Sequence, residues 1–170
     1  MTIPSHHEHK DHAPSSIGCL VITCSDTRTP ETDTSGRLIQ KLLEGQGHTV
    51  TAYHIVRDES EQIQFRIAQG TASDGVQAII INGGTGISRR DSTFEAVSEM
   101  VEKRLDGFGE IFRFLTYQEI GSPAIMTRAI AGILNGRVLF SIPGSENAVR
   151  LAMEKLILPE LGHLVRELTK

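Results

Sequence analysis

The feature that most constrains the fold is a short apolar run without alternating polar residues. Residues 76–81 end in Ala78, Ile79, Ile80 and Ile81. A strand with apolar side chains on both of its sides must be covered on both faces, as a central strand of a parallel sheet is. The run therefore predicts a strand at the centre of a sheet that helices cover.

Other strand-like segments flank this run along the chain. They are rich in β-branched and apolar residues, and they cover residues 19–24, 49–56 and 138–142. Apolar residues at helical spacing follow the strands, at residues 38–43, 60–72, 92–100, 146–156 and 159–168. Alternating strands and helices predict an α/β protein with a mostly parallel sheet and helices on both faces.

Local signals mark the ends of some helices. Gly45 and Gly47 predict the end of the first helix. Ser92 and Glu95 have the spacing of a capping box, which predicts the start of the third. Residues 109–133 have a less clear pattern, which we interpret as largely helical.

The chain length favours one domain. At 170 residues the chain can bury a proper core but is short of two domains, and we expect the domain to cover residues 17–170. Residues 1–16 contain His6, His7, His9 and His12 among charged residues and prolines, with almost nothing apolar. This composition predicts a flexible tail, for which incidental metal binding is a better expectation than a functional metal site.

Charge and hydropathy exclude some classes of partner. A formal net charge of −4, without a basic stripe or stacking aromatic residues, argues against nucleic acid binding. No apolar stretch approaches the roughly 18 residues that a membrane span needs, and the N-terminus lacks the apolar segment of a signal peptide. We therefore expect a cytoplasmic protein without membrane contact. Cys19 and Cys24 lie at an odd spacing in one strand, so we expect two reduced core residues that do not pair with each other.

Ligands of such sheets bind beyond the carboxyl ends of the strands. Small, polar and acidic residues follow each predicted strand at this edge: Ser25 and Asp26, Arg57 and Asp58, residues 82–86, and residues 143–147. These residues are the candidates for a binding site.

The segment Asn82-Gly83-Gly84-Thr85-Gly86 follows the central strand. Its three glycines allow the backbone N–H groups to approach an anion such as a phosphate. It is not a Walker A loop, because no Gly-Lys-Ser/Thr follows, and Arg89 occupies the third glycine position of a dinucleotide fingerprint. A tight connection between strand and helix is an equally good interpretation of the glycines alone.

Charged residues follow the glycines directly. The guanidinium groups of Arg89 and Arg90 are suited to phosphate oxygens. Asp91 could hold Mg²⁺, which favours one or two carboxylates together with substrate phosphates. The alternative is that Asp91 and Ser92 only cap a helix, while the arginines form a solvated face. Asp58 is similarly open to interpretation as a turn residue.

These motifs together, in their order along the chain, resemble the MoaB/MogA family of molybdenum cofactor biosynthesis proteins. The resemblance covers the chain from about Gly18 to its C-terminus and rests on Ser25-Asp26, Asp33-Thr34-Ser35-Gly36, Arg57-Asp58, Gly83-Gly84-Thr85-Gly86, Arg90-Asp91-Ser92-Thr93-Phe94-Glu95-Ala96 and Pro143-Gly144-Ser145. Two further segments, Pro-Gly-Ser-Glu-Asn-Ala and Leu-Pro-Glu-Leu-Gly-His, are closer to the MoaB-type members.

The resemblance implies a three-layer α/β/α sandwich with a mostly parallel central sheet. It also implies transfer of AMP from Mg²⁺-bound ATP to the phosphate of molybdopterin, assembly into trimers or hexamers, and transient contact with other enzymes of molybdenum cofactor assembly. The incoming phosphate is ionised near neutral pH, so positioning and charge neutralisation should suffice without a protein nucleophile.

Site residues follow from the matched motifs. The family's catalytic aspartates match Asp91 and Asp58, which we also expect to hold Mg²⁺. The nucleotide and molybdopterin pocket is expected at Ser25, Asp26, Gly36, Gly83, Gly84, Thr85, Gly86, Arg90, Thr93, Glu95, Pro143, Gly144 and Ser145.

Three alternatives stay open from the sequence. The chain could be a catalytically silent molybdopterin-binding or scaffolding protein with the same fold. A nucleotide-dependent oxidoreductase is disfavoured by the broken glycine fingerprint. Molybdate insertion is usually carried out by related domains within larger chains than this one.

Overall fold

The structure, a computed structural model, describes residues 14–170 and contains a sheet of six strands. The strands are β1 (Gly18–Cys24), β2 (Thr49–Val56), β3 (Ala78–Asn82), β4 (Lys103–Arg104), β5 (Ile130–Leu134) and β6 (Arg137–Ile142). Their order in the sheet is β2-β1-β3-β6-β5-β4. The neighbouring pairs from β2 to β6 are parallel, whereas β5 and β4 extend the sheet in antiparallel fashion.

Helices cover both faces of the sheet. They are α1 (Thr34–Gly45), α2 (Ser60–Thr71), α3 (Thr93–Met100), α4 (Asp106–Ile120), α5 (Glu146–Ala152) and α6 (Leu158–Leu168). The apolar residues of α2 and α3 form one core cluster with the sheet, and those of α1, α4, α5 and α6 form the other. The expected three-layer α/β/α fold with a mostly parallel sheet is thereby confirmed.

Strand β3 supplies both halves of the core. Ile79 and Ile81 belong to the cluster under α2 and α3, whereas Ala78 and Ile80 belong to the cluster on the opposite face. All five residues of this strand are buried. This agrees with the prediction of a central strand from the apolar run without alternating polar residues. The ladder pairs β3 with β1 on one side and β6 on the other, which places its carboxyl end at the middle of the sheet edge.

The largely helical interpretation of residues 109–133 is wrong at its end. Helix α4 stops at Ile120 and a 3₁₀ helix covers Ser122–Met126, but Ile130–Leu134 is a strand paired antiparallel with β6. Asn135 and Gly136, with φ of 48° and 70°, form the connecting turn. Both left-handed φ values are those of the two-residue hairpin turn that Asn-Gly favours.

The helix boundaries near the C-terminus also differ from the prediction. A π-helical turn at Met153–Ile157 joins α5 to α6, and the N–H of Leu158 donates to the carbonyl of Met153. Pro159 lies in the first turn of α6, where its missing N–H leaves one carbonyl of the preceding turn without a donor.

The capping box predicted at Ser92 and Glu95 is absent. Ser92 does precede α3, but its side chain makes no capping hydrogen bond to that helix, and its hydroxyl instead donates to Asp58. Glu95 pairs with the guanidinium of Arg128. The carboxylate of Asp58, which is distant in sequence, therefore accepts the hydrogen bonds at the start of α3.

The two cysteines are unpaired and buried, as expected, on opposite sides of β1. Burial raises the pKa of each thiol to about 12. Most of the predicted tail, residues 1–13, lies outside the described residues. Among residues 14–170, no helix has the length and apolar character needed to cross a membrane.

Candidate active site

A pocket of about 400 Å³ opens where β1, β3 and β6 end. Its walls come from the segments that follow these strands, from the start of α1 and from the end of the 3₁₀ helix. The lining residues are Thr23, Cys24, Ser25, Arg28, Asp33, Asn82, Gly83, Gly84, Thr85, Gly86, Asp91, Met126, Thr127, Pro143 and Gly144. This position is the one at which ligands of open α/β sheets bind.

The loop of residues 83–86 requires glycine for two reasons. Gly83 and Gly84 have φ of 99° and 58°, a region that residues with a side chain rarely adopt. A Cβ at Gly83 would lie 2.1 Å from the carbonyl oxygen of Cys24, and one at Gly84 would lie 2.1 Å from Thr93 Oγ1. The loop therefore passes close to β1 and α3 with its backbone exposed to the pocket.

Asp91 lies beside this loop. One oxygen of its carboxylate accepts the N–H of Ser88 at 2.9 Å and faces Gly86, where a Cβ would come within 2.5 Å of it. Hydrogen bonds from Ser88 and from the backbone of Gly86 hold the pKa of Asp91 below its usual range, against the opposing effect of desolvation. The side chain is therefore an anion at neutral pH on the wall of the pocket.

Asp58 has different surroundings. Its Oδ1 accepts the N–H of Ser92 at 2.9 Å, the hydroxyl of Ser92 at 2.9 Å and the hydroxyl of Thr93 at 3.2 Å. The side chain is buried, and it does not line the pocket. It caps the start of α3 from outside that helix and packs behind Gly84.

Asp26 and Arg90 form an ion pair outside the pocket lining. The guanidinium of Arg90 donates from Nε at 3.1 Å and from Nη2 at 2.7 Å to Asp26 Oδ2. These bonds, above all, hold the pKa of Asp26 below its usual range. The other oxygen of Asp26 accepts the N–H of Asp58 at 3.2 Å. The pair links the loops after β1, β2 and β3.

The first turn of α1 contributes a buried acid to the pocket. Asp33 caps the helix by accepting the N–H of Gly36 at 2.9 Å, and the hydroxyl of Tyr53 donates to its other oxygen. Gly36 is needed here because a Cβ would lie 2.2 Å from Asp33 and 2.7 Å from Thr23. Burial and the neighbouring carboxylate raise the pKa of Tyr53, so its hydroxyl stays a donor.

The predicted site residues fall into two groups. Those that line the pocket are Ser25, Gly83, Gly84, Thr85, Gly86, Asp91, Pro143 and Gly144. Those that lie around it are Asp26, Gly36, Asp58, Arg90, Thr93, Glu95 and Ser145. Ser145 caps α5 by accepting the N–H of Ala148 at 3.3 Å. The residues of the second group surround the residues that line the pocket.

Sequence reasoning missed several lining residues, namely Thr23, Cys24, Arg28, Asp33, Met126 and Thr127. Asp33 belongs to a matched motif from which only Gly36 was selected, whereas Asn82, which also lines the pocket, was among the candidates at the end of β3. Arg28 could have been found from its place three residues after Ser25, whose hydroxyl accepts its N–H at 3.1 Å. Nothing in the local sequence indicates Met126 or Thr127, which lie 40 and 41 residues after Gly86 along the chain.

No group of three or more His, Cys, Asp or Glu side chains in residues 14–170 could form an all-protein metal site. The acidic groups are instead spread along one edge of the sheet. A divalent cation would here need oxygen atoms from a bound phosphate in addition to a carboxylate.

Fold and pocket together define a class: a three-layer α/β/α protein with a glycine-rich loop and an ionised carboxylate at the sheet edge. The family model described as "Probable molybdopterin binding domain" matches residues 20–163, so the chain belongs to this family of molybdenum cofactor biosynthesis proteins.

Individual members of this family are similar to the chain over most of its length. The chain is similar to molybdenum cofactor biosynthesis protein B of Halalkalibacterium halodurans, with 53% identity over 166 residues that make up 96% of each chain. A crystal structure of a molybdenum cofactor biosynthesis protein B superposes with a TM-score of 0.90 at 52% identity, covering 93% of this chain and 99% of the other. The crystal structure of the tungsten cofactor synthesizing protein MoaB from Pyrococcus furiosus superposes with a TM-score of 0.83 at 37% sequence identity. The superposition covers 93% of this chain and 100% of the other.

Proposed function

We propose that this chain transfers AMP from ATP to the phosphate of molybdopterin, giving adenylylated molybdopterin and pyrophosphate. Membership in a family of molybdopterin-binding domains supports molybdopterin as the acceptor. The observation that carries the proposal is the pairing, in one pocket, of the glycine-rich loop with the ionised carboxylate of Asp91. The loop suits a chain of phosphates, and the carboxylate suits the cation that accompanies them.

Asp91 is the residue that we assign to hold Mg²⁺. Its carboxylate lines the pocket and is ionised, and the second oxygen is not used by the Ser88 N–H. Bound Mg²⁺ neutralises charge that develops on the phosphate oxygens during transfer. Asp58 does not fit this role in the same way, because its side chain is buried and does not line the pocket. We assign Asp58 to positioning the start of α3 and the loop beside it.

The chemistry requires no nucleophile from the protein. An oxygen of the molybdopterin phosphate forms a bond to the α-phosphorus of ATP, the bond from that phosphorus to the bridging oxygen breaks, and pyrophosphate leaves with the electron pair. The chain has to align the two reactants and counter the negative charge of the polyphosphate. The loop N–H groups and the exposed guanidinium of Arg28 on the pocket wall are the donors available for this purpose.

The direct test is a reaction of the purified protein with molybdopterin, ATP and Mg²⁺. We expect adenylylated molybdopterin and pyrophosphate in equal amounts, detected by chromatography and a coupled pyrophosphate assay. The control omits molybdopterin, because simple hydrolysis of ATP would also release phosphate products.

The alternative function is molybdopterin binding without catalysis. It predicts that fluorescence titration detects bound molybdopterin while no pyrophosphate forms at any ATP concentration. That result would refute the transferase proposal and favour a scaffolding role. A protein that binds neither molybdopterin nor ATP would refute both.

A further inference from the structure

Arg128 lies at the junction between the 3₁₀ helix and β5, outside the pocket lining, and its guanidinium reaches the glycine-rich loop. Nε donates to the carbonyl oxygen of Thr85 at 3.1 Å, and Nη2 donates to the carbonyl oxygen of Gly86. One side chain therefore binds the carbonyl groups of two consecutive residues in the loop.

A third carbonyl of the loop is held by a backbone donor. The N–H of Thr93, at the start of α3, donates to the carbonyl oxygen of Gly84 at 3.1 Å. In a planar trans peptide the C=O of one residue and the N–H of the next point in opposite directions. The N–H groups of Thr85, Gly86 and Ile87 must therefore point away from Thr93 and Arg128.

Two of these N–H groups, those of Thr85 and Ile87, are the ones that a phosphate could use. The N–H of Gly86 instead faces the carboxylate of Asp91 and helps to lower its pKa. In the part of the chain that the structure describes, the N–H groups of Thr85 and Ile87 donate to no protein acceptor. Successive N–H groups directed to one side form the kind of concave backbone surface that binds anions.

The guanidinium of Arg128 is itself held in place. Nη1 and Nη2 both donate to the carboxylate of Glu95, and the guanidinium carbon lies 5.0 Å from the ring centre of Phe94. Glu95 and Phe94 both belong to the first turn of α3. Arg128 thus ties the loop to α3 through a planar group with several donors, an arrangement that a lysine cannot reproduce.

From these contacts we infer that Arg128 is a positioning residue, which orients the peptide units of residues 84–87 so that the N–H groups of Thr85 and Ile87 bind the polyphosphate of the nucleotide. This inference rests on the proposed function, since it assigns the ligand of the loop. Arg128 acts through the backbone and does not itself touch the substrate.

The test compares four forms of the full chain: wild type, Arg128→Gln, Arg128→Lys and the control Arg150→Gln. Arg150 is an exposed arginine that pairs with Glu154 in α5 and its following turn, away from the pocket. Calorimetry measures binding of inorganic triphosphate with Mg²⁺, and steady-state kinetics measure the KM for ATP and for molybdopterin. Melting temperature records folding.

We expect Arg150→Gln to match wild type and Arg128→Gln to bind triphosphate about tenfold to a hundredfold more weakly. Arg128→Lys should also bind it at least about tenfold more weakly, because a single ammonium group cannot hold both carbonyls. The KM for ATP should rise while the KM for molybdopterin stays unchanged. A purely structural role would lower the melting temperature without separating the two KM values.

Triphosphate affinity equal to wild type in Arg128→Gln would overturn the inference. Wild-type affinity in Arg128→Lys would also overturn it, because the positive charge alone would then be sufficient. If Arg128→Gln fails to fold, the result with Arg128→Lys decides between these outcomes. Failure of the wild type to bind triphosphate would instead refute the nucleotide site of the proposed function, and the role of Arg128 with it.

Discussion

Asp58 and Asp91 show how one residue type serves two purposes at the same sheet edge. Asp58 follows β2 and Asp91 lies in the segment after β3, and the family resemblance implies catalytic roles for both. The fold makes Asp58 a buried acceptor for three donors, whereas Asp91 is a pocket-lining anion that accepts the N–H of Ser88 at 2.9 Å. The sequence could identify both carboxylates, but their environments depend on contacts that only the folded chain creates.

The Asp91→Asn substitution tests the assigned metal-holding residue. Asparagine keeps an oxygen that can accept the Ser88 N–H, so the local turn should persist. It loses the charge that holds Mg²⁺, so the rate of AMP transfer should fall by roughly 10²- to 10³-fold. Molybdopterin affinity, measured by fluorescence titration, should be largely retained.

Circular dichroism and thermal melting provide the folding control for this variant. A folded Asp91→Asn protein that transfers AMP at nearly the wild-type rate would show that the carboxylate only shapes the turn. The assignment of Mg²⁺ would then have to move to another acidic residue near the loop.

Elements of secondary structure were predictable to the extent that their signals are local. The apolar run of β3 identified the sheet centre, and helical spacing identified α2 within one residue at its end. Strand β5 was missed because Ala131, Ile133 and Leu134 fit a helical pattern as well as a strand, and antiparallel pairing with β6 decides between them. The Asn135-Gly136 pair was the available hairpin signal.

The start of α3 depends on a long-range cap, which no local motif reveals. Ser92 and Glu95 have the right spacing for mutual capping, but Asp58, 34 residues before Ser92, provides the acceptor. Glu95 in turn is drawn to Arg128. Contacts between residues that are distant in sequence therefore take the place of the local capping box.

We therefore expect Asp58→Ala to destabilise the protein. It would leave the N–H and hydroxyl of Ser92 and the hydroxyl of Thr93 without their acceptor, at a cost of about 2 kcal/mol in the free energy of unfolding. Asp58→Asn keeps an acceptor oxygen, so it should cost less than about 1 kcal/mol. Urea denaturation followed by circular dichroism measures both.

Asp74→Ala is the matched control, because Asp74 is an exposed turn residue on the far side of β3 from the pocket. It should change the free energy of unfolding by less than about 0.5 kcal/mol. Unchanged stability of Asp58→Ala would show that the cap contributes nothing and that Asp58 is free for another role.

At the scale of the whole molecule, one face carries unusual apolar exposure. Large apolar side chains of α4 and the 3₁₀ helix are about half or more exposed: Ile111, Phe114, Tyr117, Ile120, Ile125 and Met126. A shallow cavity with Phe114, Tyr117 and Ile125 in its walls lies within this surface. Contiguous apolar surface of this kind is typical of sites for protein contact. Only the fold shows which apolar residues of this segment the core leaves uncovered.

We predict that this surface joins copies of the chain into a trimer or a hexamer. The double substitution Phe114→Glu and Ile125→Glu would place carboxylates at a dry contact, and burial of unpaired charge is costly enough to dissociate the assembly. Light scattering coupled to size exclusion should give an oligomer for the wild type at micromolar concentration and a monomer for the double variant. Phe65→Glu is the matched control, since Phe65 is 58% exposed on α2, outside this surface, and its substitution should leave the oligomer intact. A wild-type protein that is monomeric under these conditions would defeat the prediction, and dissociation by Phe65→Glu alone would place the contact on α2 instead.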